Sequence, residues 1–308
     1  MTSPSLPRSK DPRPWIPRQR ALIRSLVITA RPRQWIKNVL VFAAPATAGV
    51  LLQPAALVKA VIAFVAFSMA SSAMYFLNDV KDRVRDAAHP TKRLRPLAAG
   101  ELPQRYAWMA AVVLMTTAVV TAVAGAGVAL AATVVAYLLL VTTYTYRLRD
   151  VVLVDVVAVA GTFVLRAIAG GLAVGVYLSS WFLLVACFGA LFVVTGRRFA
   201  EYRALEGRRG HHRRTLDDYS EPMLRAMLTS SSTVTITAYC LWAFEGEGSR
   251  NVLAALSIVP FVVGIYRYAM LGEAGFGGSP EDVFLQDRFL QITCVVWLSL
   301  VLAGVYLG

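Results

Sequence analysis

Four oxygen-bearing side chains within residues 78–86 have the types and spacing that could do chemistry. On a helix of about 3.6 residues per turn, Asn78, Asp82 and Asp86 are spaced i, i+4 and i+8 and share one face, with Asp79 on its flank. Carboxylates this close repel each other unless a cation lies among them, and carboxylate and amide oxygens are ligands that Mg²⁺ accepts. The spacing therefore predicts a magnesium site at Asn78, Asp79, Asp82 and Asp86, with the three aspartates as the candidate catalytic residues.

A short basic loop follows this acidic face. Lys92, Arg93 and Arg95 lie a few residues beyond the last aspartate. Cations beside hard oxygen ligands form the composition needed to hold a Mg²⁺-bound diphosphate. The same residues are also compatible with a solvated helix end whose acids pair with basic neighbours, so spacing alone leaves both interpretations open.

The composition is that of an integral membrane protein. The 308-residue chain is 57% hydrophobic and only 16% charged, with a mean hydropathy of +0.59, whereas a soluble domain carries about 25% charged residues. The first 37 residues contain nine Lys and Arg and no early apolar run, so no signal peptide is predicted. The sequence contains no recognisable nucleic-acid-binding motif, and no nucleic acid is expected as a partner.

Nine apolar segments predict an all-α polytopic membrane protein of about nine transmembrane helices, because each is close to the length of about 20 residues that a bilayer core requires. The segments are roughly 38–54, 57–77, 107–124, 127–146, 151–174, 179–196, 223–244, 251–270 and 289–307. The predicted organisation is a basic N-terminal tail, 1–30, followed by a single transmembrane domain, 31–308.

The basic residues alternate from one connection to the next. Seven lie in the connection after the second segment and eight around that after the sixth, but none lie after the third or the fifth. Cytoplasmic connections carry the excess of Lys and Arg, so this pattern places the N-terminus and residues 78–100 on the cytoplasmic side of the plasma (inner) membrane. A basic face of this kind attracts anionic lipids and anionic substrates.

Two further candidates for substrate binding lie in or beside apolar segments. Lys37 lies at the mouth of the first segment, in the stretch RPRQWIKN, where Trp35 is an ordinary interfacial anchor. Arg166 lies midway along the fifth segment, where a charge costs at least about 2.5–3.5 kcal/mol and normally faces a cavity or a partner. Asp155, on the same helix, is about 16 Å away and too far to pair with it. Arg166 is therefore expected to meet a lipid phosphate or an acid on another helix.

The ends of the sixth and fourth segments contribute the remaining candidates. Arg197 and Arg198 lie i, i+4 and i, i+3 from Glu201, which can support a cation that projects into a cavity. The substrate-binding candidates at this helix end are Arg197, Arg198, Glu201 and Tyr202. Weaker candidates, since aromatic and basic residues are common at membrane interfaces, are Tyr144, Tyr146, Arg147 and Arg149.

Residues 78–100 resemble the signature of the UbiA-type intramembrane prenyltransferase superfamily. That signature is NDxxDxxxD followed by a basic loop that ends in RPL or RPI, two residues and Gly. The chain has Asn78, Asp79, Asp82 and Asp86, and then RPLAAG at 95–100. The resemblance implies nine transmembrane helices around a lipid-open central cavity with a cytoplasmic cap.

Two further stretches, RPRQWIKN at 31–38 and HPTKR at 89–93, resemble one branch of this superfamily, the decaprenyl-phosphate phosphoribosyltransferases of mycobacteria and their relatives. The resemblance implies a Mg²⁺-dependent transfer of 5-phosphoribose from phosphoribosyl pyrophosphate to decaprenyl (polyprenyl) phosphate, with release of pyrophosphate. The product would lead to the arabinose donor of cell-wall arabinogalactan. The implied partners are the two substrates and the bilayer, and a homo-oligomer is compatible with the sequence.

The chain departs from many quinone-pathway members in the connection after the sixth segment. Those members carry a second Asp-rich motif there, DxxxD, whereas this chain has Arg197, Arg198, Glu201 and Tyr202. Fewer metal ligands and more arginines favour a donor with an additional phosphate.

Two alternatives for the function stay open. One is transfer from a prenyl diphosphate to an aromatic acceptor, which the aspartates would serve equally well. The other is an anionic-solute transporter, which predicts charges scattered through the spans.

Overall fold

The computed structural model describes residues 19–204, 218–245, 249–274 and 280–307, and every regular element in these ranges is helical. Helices satisfy all their backbone polar groups internally, which an apolar bilayer requires. In chain order the helices are α1 (Gln19–Ala30), a 3₁₀ helix (Pro32–Phe42), α2 (Ala43–Thr47), α3 (Pro54–Ala87), α4 (Gln104–Ala126), α5 (Val128–Tyr146), α6 (Val154–Val174), α7 (Ser180–Ala204), α8 (Glu221–Phe244), α9 (Ser249–Glu273), α10 (Pro280–Gln286) and α11 (Arg288–Tyr306). Single 3₁₀ turns at Lys92–Leu94 and Leu148–Asp150 lie in two of the connections.

Seven of the described helices are long and apolar enough to cross a membrane: α3, α4, α5, α6, α7, residues Val252–Glu273 of α9, and α11. The prediction of an all-α, multi-pass membrane protein is therefore confirmed. The predicted count of nine is not confirmed by these criteria. α8 has 24 residues, but its middle reads TSSSTVTIT, and it is not among the helices that are apolar enough over a membrane-spanning length.

The first predicted segment, 38–54, is not one continuous α-helix. The chain leaves α1 through Arg31, whose φ of 53° is left-handed, and then winds as a 3₁₀ helix for 11 residues before the short α2. A 3₁₀ helix rises about 2.0 Å per residue, so residues 32–47 still extend about 30 Å, the thickness of a bilayer core. Arg31 contacts α3, and the backbone N–H of Leu51 donates to the Tyr306 hydroxyl at the end of α11. The segment therefore runs from one end of the bundle to the other.

α1 precedes this segment and lies against α3. Leu22 and Leu26 pack on the buried core, whereas Ile23 and Val27 are exposed on the opposite side. Apolar groups on both sides fit a helix that lies at the bilayer surface between protein and lipid. The division of the chain into a tail, 1–30, and a domain, 31–308, stays a prediction, and residues 1–18 lie outside the described ranges.

Gly170 of α6 allows the 3₁₀ segment to pack directly on the α6 backbone. A Cβ atom at this position would lie 1.6 Å from the carbonyl oxygen of Val41. No side chain fits in that space, because the obstructing atom belongs to the backbone and cannot rotate away. The path of the 3₁₀ helix through the bundle therefore depends on a glycine at position 170.

Gly170→Ala is expected to displace residues 38–44 or to prevent folding, because overpacking a tight site costs about 1–3 kcal/mol and more where backbone must move. Thermal unfolding of the purified protein in detergent measures the effect. Gly189→Ala in α7 is the matched control, since a Cβ there would meet its nearest neighbour, a Thr235 methyl group, at an ordinary 3.7 Å. Equal melting temperatures for the two variants would contradict the close approach.

Candidate active site

α3 carries the acidic face to one end of the bundle. The helix has 34 residues and is about 50 Å long, whereas the hydrocarbon core of a bilayer is about 30 Å thick. Residues 78–86 begin about 36 Å from the first residue of α3, past the part that spans the apolar core. Asp79 and Asp86 are nevertheless each only 3% exposed, so their charges need partners.

Two arginines neutralise Asp79 and Asp86. Arg31 Nη2 lies 2.5 Å from Asp79 Oδ1. Arg95 Nη1 lies 3.2 Å from the same oxygen and 2.6 Å from Asp86 Oδ2. Because the aspartates are seven residues apart, about two helical turns, they lie on the same side of α3 and one guanidinium can contact both. The guanidinium of Arg31 also lies 4.9 Å from the ring centre of Tyr75, one turn earlier.

Asn78 and Asp82 face the end of α5 and the connection that follows it. The hydroxyl of Thr145 donates to Asn78 Oδ1 at 2.8 Å, and Arg149 Nη1 lies 3.1 Å from Asp82 Oδ2. Lys81 donates to the carbonyl oxygen of Thr145. The four side chains on this face therefore have different partners: Asp79 and Asp86 share Arg95, Asp82 contacts Arg149, and Asn78 accepts from Thr145.

The donor set fits Mg²⁺ in its chemistry, since three carboxylates and one amide supply hard oxygen ligands. In the described part of the chain, however, no three His, Cys, Asp or Glu side chains are gathered in an arrangement that could hold a metal ion. Arginine supplies positive charge to these carboxylates. Three guanidinium groups contact the carboxylate oxygens that a divalent cation would use.

Other predicted residues lie at the same end of the bundle. Lys92 and Arg93 form the single 3₁₀ turn in the basic loop and are exposed. Tyr146 and Arg147 close α5 and are also exposed, and Lys81 Nζ lies 4.4 Å from the ring centre of Tyr146. These four side chains are therefore exposed at the same end of the bundle as the acidic face.

Arg166 lies apart from the aspartates and contacts neutral groups. It is 4% exposed. Its Nε donates to Asn38 Oδ1 at 2.7 Å, and its two terminal nitrogens donate to the Thr162 carbonyl oxygen at 2.6 Å and the Tyr137 hydroxyl at 3.1 Å. The guanidinium also lies 4.7 Å from the ring centre of Tyr137. Its charge is thus stabilised by dipoles and by an aromatic face rather than by the acid on another helix that was one of its expected partners.

A second buried ion pair joins α6 to α7. Asp155 is fully buried, and Arg198 Nη2 lies 2.7 Å from its Oδ2. The Tyr219 hydroxyl donates to Asp155 Oδ1 at 2.6 Å and accepts from the Leu153 backbone N–H at 2.8 Å. Burial and the hydrogen bond to Asp155 raise the pKa of Tyr219 to about 12, so this hydroxyl stays a donor at neutral pH. The partner of Asp155 is therefore Arg198, on the neighbouring helix.

The residues at the end of α7 differ in exposure. The Arg198 side chain is 6% exposed and also lies 2.7 Å from Glu201. Arg197 is 41% exposed, and its Nε lies 3.0 Å from the other oxygen of Glu201. Tyr202 packs against the apolar cluster that contains Phe199. Of the two arginines, Arg197 is the one that can reach a ligand without breaking a buried pair.

Sequence spacing did not identify Arg31 as a site residue, and it ranked Arg149 only as a weaker candidate. Both contact the acidic face across 48 and 67 residues of sequence, respectively. The available signal was their position at helix ends on the basic side of the membrane. That signal does not distinguish a residue that contacts an aspartate from one that faces solvent.

These observations define a class of protein: a multi-pass helical membrane protein whose longest helix ends in an NDxxDxxxD face beside a basic loop. The chain belongs to the UbiA prenyltransferase family, whose model matches residues 39–304. The chain is thus a transferase by family.

Three similar proteins are named decaprenyl-phosphate phosphoribosyltransferase. The protein of Mycobacterium tuberculosis is 42% identical over 294 residues, covering 93% of this chain and 96% of that protein. The protein of Corynebacterium glutamicum is 38% identical over 93% of this chain and 88% of that protein. The protein of Mycolicibacterium smegmatis is 36% identical over 97% of this chain and 98% of that protein.

Solved structures show the same fold at low sequence identity. A UbiA homolog from Archaeoglobus fulgidus, bound to GPP and Mg²⁺, superposes with a TM-score of 0.71 at 17% identity over 91% of this chain and 99% of that one. The same homolog bound to DMAPP and Mg²⁺ also gives 0.71. The predicted UbiA-like fold is therefore confirmed.

Arg198→Ala is expected to destabilise the fold, because it leaves the buried Asp155 without its cation. Removing one partner of a buried pair costs about 3–5 kcal/mol. Thermal unfolding in detergent should show a large fall in melting temperature. Arg197→Ala, which removes the more exposed neighbour, should melt close to the unmodified protein; an equal fall in both would contradict a special role for the Arg198–Asp155 pair.

Proposed function

We propose that this transferase moves 5-phosphoribose from phosphoribosyl pyrophosphate to decaprenyl (polyprenyl) phosphate and releases pyrophosphate. The observation that carries the proposal is the 36–42% identity to decaprenyl-phosphate phosphoribosyltransferases, spread over nearly the whole length of both chains. The site agrees with it, because carboxylates and arginines at the end of α3 are the groups that bind a diphosphate with its cation.

We propose Asn78, Asp79, Asp82 and Asp86 as the residues that hold Mg²⁺. When bound, the ion would neutralise charge on the leaving diphosphate. The arginines that contact these carboxylates, Arg31, Arg95 and Arg149, would lie beside the same diphosphate and could donate to its oxygens directly. The acidic face and its arginines together would bind and orient the leaving group.

The acceptor needs little activation in this reaction. A phosphate oxygen of the lipid attacks C1 of the ribose, the bond from C1 to the diphosphate oxygen breaks, and the electron pair leaves with the diphosphate. Because the attacking oxygen is already anionic, no strong general base is required, and in-line attack inverts C1. Rate acceleration would come from positioning and electrostatics. The candidates for the donor's phosphates and ribose are Lys92, Arg93, Tyr146, Arg147, Arg197 and Tyr202, with Glu201 orienting Arg197.

The donor is a water-soluble anion and the acceptor lies in the bilayer, so the site must face both. The strongly basic connections support a cytoplasmic N-terminus and active site in the plasma membrane. The projecting end of α3 would then meet the donor from water, while the apolar helices below it would meet the lipid tail. We retain three further predictions: a tail at 1–30, a domain at 31–308 and a homo-oligomer.

The transfer itself can be measured with purified protein in detergent, labelled phosphoribosyl pyrophosphate, a polyprenyl phosphate and Mg²⁺. Label should move into the lipid phase and require all three additions. Transfer of a prenyl group from a prenyl diphosphate to an aromatic acid, with no label in the lipid, would replace this proposal by the other chemistry that the aspartates could serve. Failure of both transfers would leave the transporter alternative, which uptake into vesicles tests.

Asp82→Asn is expected to abolish turnover, because it removes one of the proposed ligands of Mg²⁺. It should leave the fold intact, because Asp82 is the most accessible of the three aspartates at 22% exposure. The variant should also lose the rise in melting temperature that Mg²⁺ gives by binding the folded state. Asp150→Asn is the matched control, since Asp150 is exposed in the connection after α5. Retained turnover and retained Mg²⁺ stabilisation in Asp82→Asn would remove the aspartate from the metal site.

A further inference from the structure

The 3₁₀ helix sorts its side chains into three columns. A 3₁₀ helix has three residues per turn, so residues i, i+3 and i+6 lie above one another. The columns are Trp35, Asn38 and Val41, which face the bundle; Arg33, Ile36 and Val39, which are exposed; and Gln34 and Lys37, which are half-buried and follow Arg31, the half-buried residue that precedes the helix. On an α-helix each set would instead drift by about 60° around the axis at every step, because its period is about 3.6 residues.

The bundle-facing column fixes how the 3₁₀ helix is rotated. Trp35 Nε1 donates to the Ser72 hydroxyl at 2.9 Å. Asn38 donates to the Ser68 hydroxyl at 3.1 Å and accepts from Arg166 at 2.7 Å. Since these bonds are buried and directional, turning the helix would leave several polar groups unpaired. Arg166 therefore sets the rotation of the helix through Asn38.

The half-buried column starts at the acidic face and runs toward the membrane. Arg31, which immediately precedes the helix, contacts Asp79. Two turns later Lys37 Nζ donates to Gln34 Oε1 at 2.6 Å. Six residues of 3₁₀ helix extend about 12 Å. The backbone of Lys37 thus lies about that far from the backbone of Arg31 on the membrane side, and its side chain is partly accessible.

This depth suits the acceptor of the proposed reaction. The attacking phosphate carries a hydrocarbon chain, so it must approach the donor from the membrane side. A cation on that side would bind it, and the neighbouring column offers exposed Ile36 and Val39 to the chain. Arg166 is poorly placed for the same task, because it lies beneath Asn38 at 4% exposure with its guanidinium bonded on three sides.

We propose that Lys37, oriented by Gln34, binds the terminal phosphate of the acceptor lipid, and that Arg166 is a positioning residue that acts through Asn38. This assignment rests on the proposed function and makes it specific. It assigns different roles to Lys37 and Arg166, the two cations in or beside apolar segments that the sequence offered as candidates for substrate binding. It also brings in Gln34, which the sequence did not single out.

The test compares binding and turnover in Lys37→Gln and Arg166→Gln. Farnesyl phosphate, added without donor or Mg²⁺, should raise the melting temperature of the unmodified protein and of Arg166→Gln, but not of Lys37→Gln.

In turnover, Lys37→Gln should raise the KM for the lipid by about tenfold or more and leave the KM for phosphoribosyl pyrophosphate nearly unchanged. Lys37→Arg should recover part of the lipid affinity, because it restores the charge. Lys59→Gln, an exposed lysine at the far end of α3, is the matched control.

Arg166→Gln should lower the basal melting temperature and kcat, because the 3₁₀ helix loses its rotational anchor, while its remaining folded fraction still binds farnesyl phosphate. Loss of binding in Arg166→Gln with retained binding in Lys37→Gln would reverse the assignment.

Stabilisation by phosphatidylglycerol equal to that by farnesyl phosphate would overturn a site for a terminal phosphate. If the unmodified protein neither binds nor labels the lipid, the proposed function itself fails; if it does both and Lys37→Gln is unaffected, only this inference fails.

Discussion

The compensation of the α3 carboxylates by arginine is the interaction on which the rest of the site depends. Asp79 and Asp86 are almost completely buried, and a buried charge without a partner is among the most expensive groups a fold can contain. The three guanidinium groups come from the end of α1, the basic loop and the connection after α5. Their contacts therefore tie three distant parts of the chain to one helix, and the groups that neutralise the acids are also the groups that gather the site.

The second requirement is a narrow path for the 3₁₀ segment between α3 and α6. Gly170 removes the side chain that would block Val41, and the polar contacts of Asn38 then hold the segment in one rotation. A buried arginine with neutral partners is costly at membrane depth, but here its three directional donors specify a packing arrangement that apolar contacts alone would leave loose. The buried charge of Arg166 thus helps to fix the rotation of the 3₁₀ segment, and with it the geometry of the site at the end of α3.

The sequence was a good guide wherever a property is local. Long apolar runs predicted the multi-pass helical fold, and the spacing of Asn78 to Asp86 identified the end of α3 as the place to examine. The partners of the aspartates could not be predicted, because the contacts of Arg31 and Arg149 close over many tens of residues. The 3₁₀ winding was also missed, since an apolar pattern with a proline does not distinguish a period of 3.0 from 3.6. Arg198 was expected to meet a substrate, whereas its contacts are with Asp155 and Glu201; the roles of the site residues stay predictions.

At Arg31 the ionic contact of the site and the stability of the backbone make opposed demands, because this residue is held in the left-handed conformation. A residue with a Cβ atom in this conformation costs about 1–3 kcal/mol, and glycine would adopt it without that penalty. Glycine, however, would leave Asp79 without its shortest ionic contact. Position 31 must therefore satisfy two incompatible preferences, one from the backbone and one from the carboxylate. The chain retains the strained residue, so a substitution that improves the turn would weaken the site.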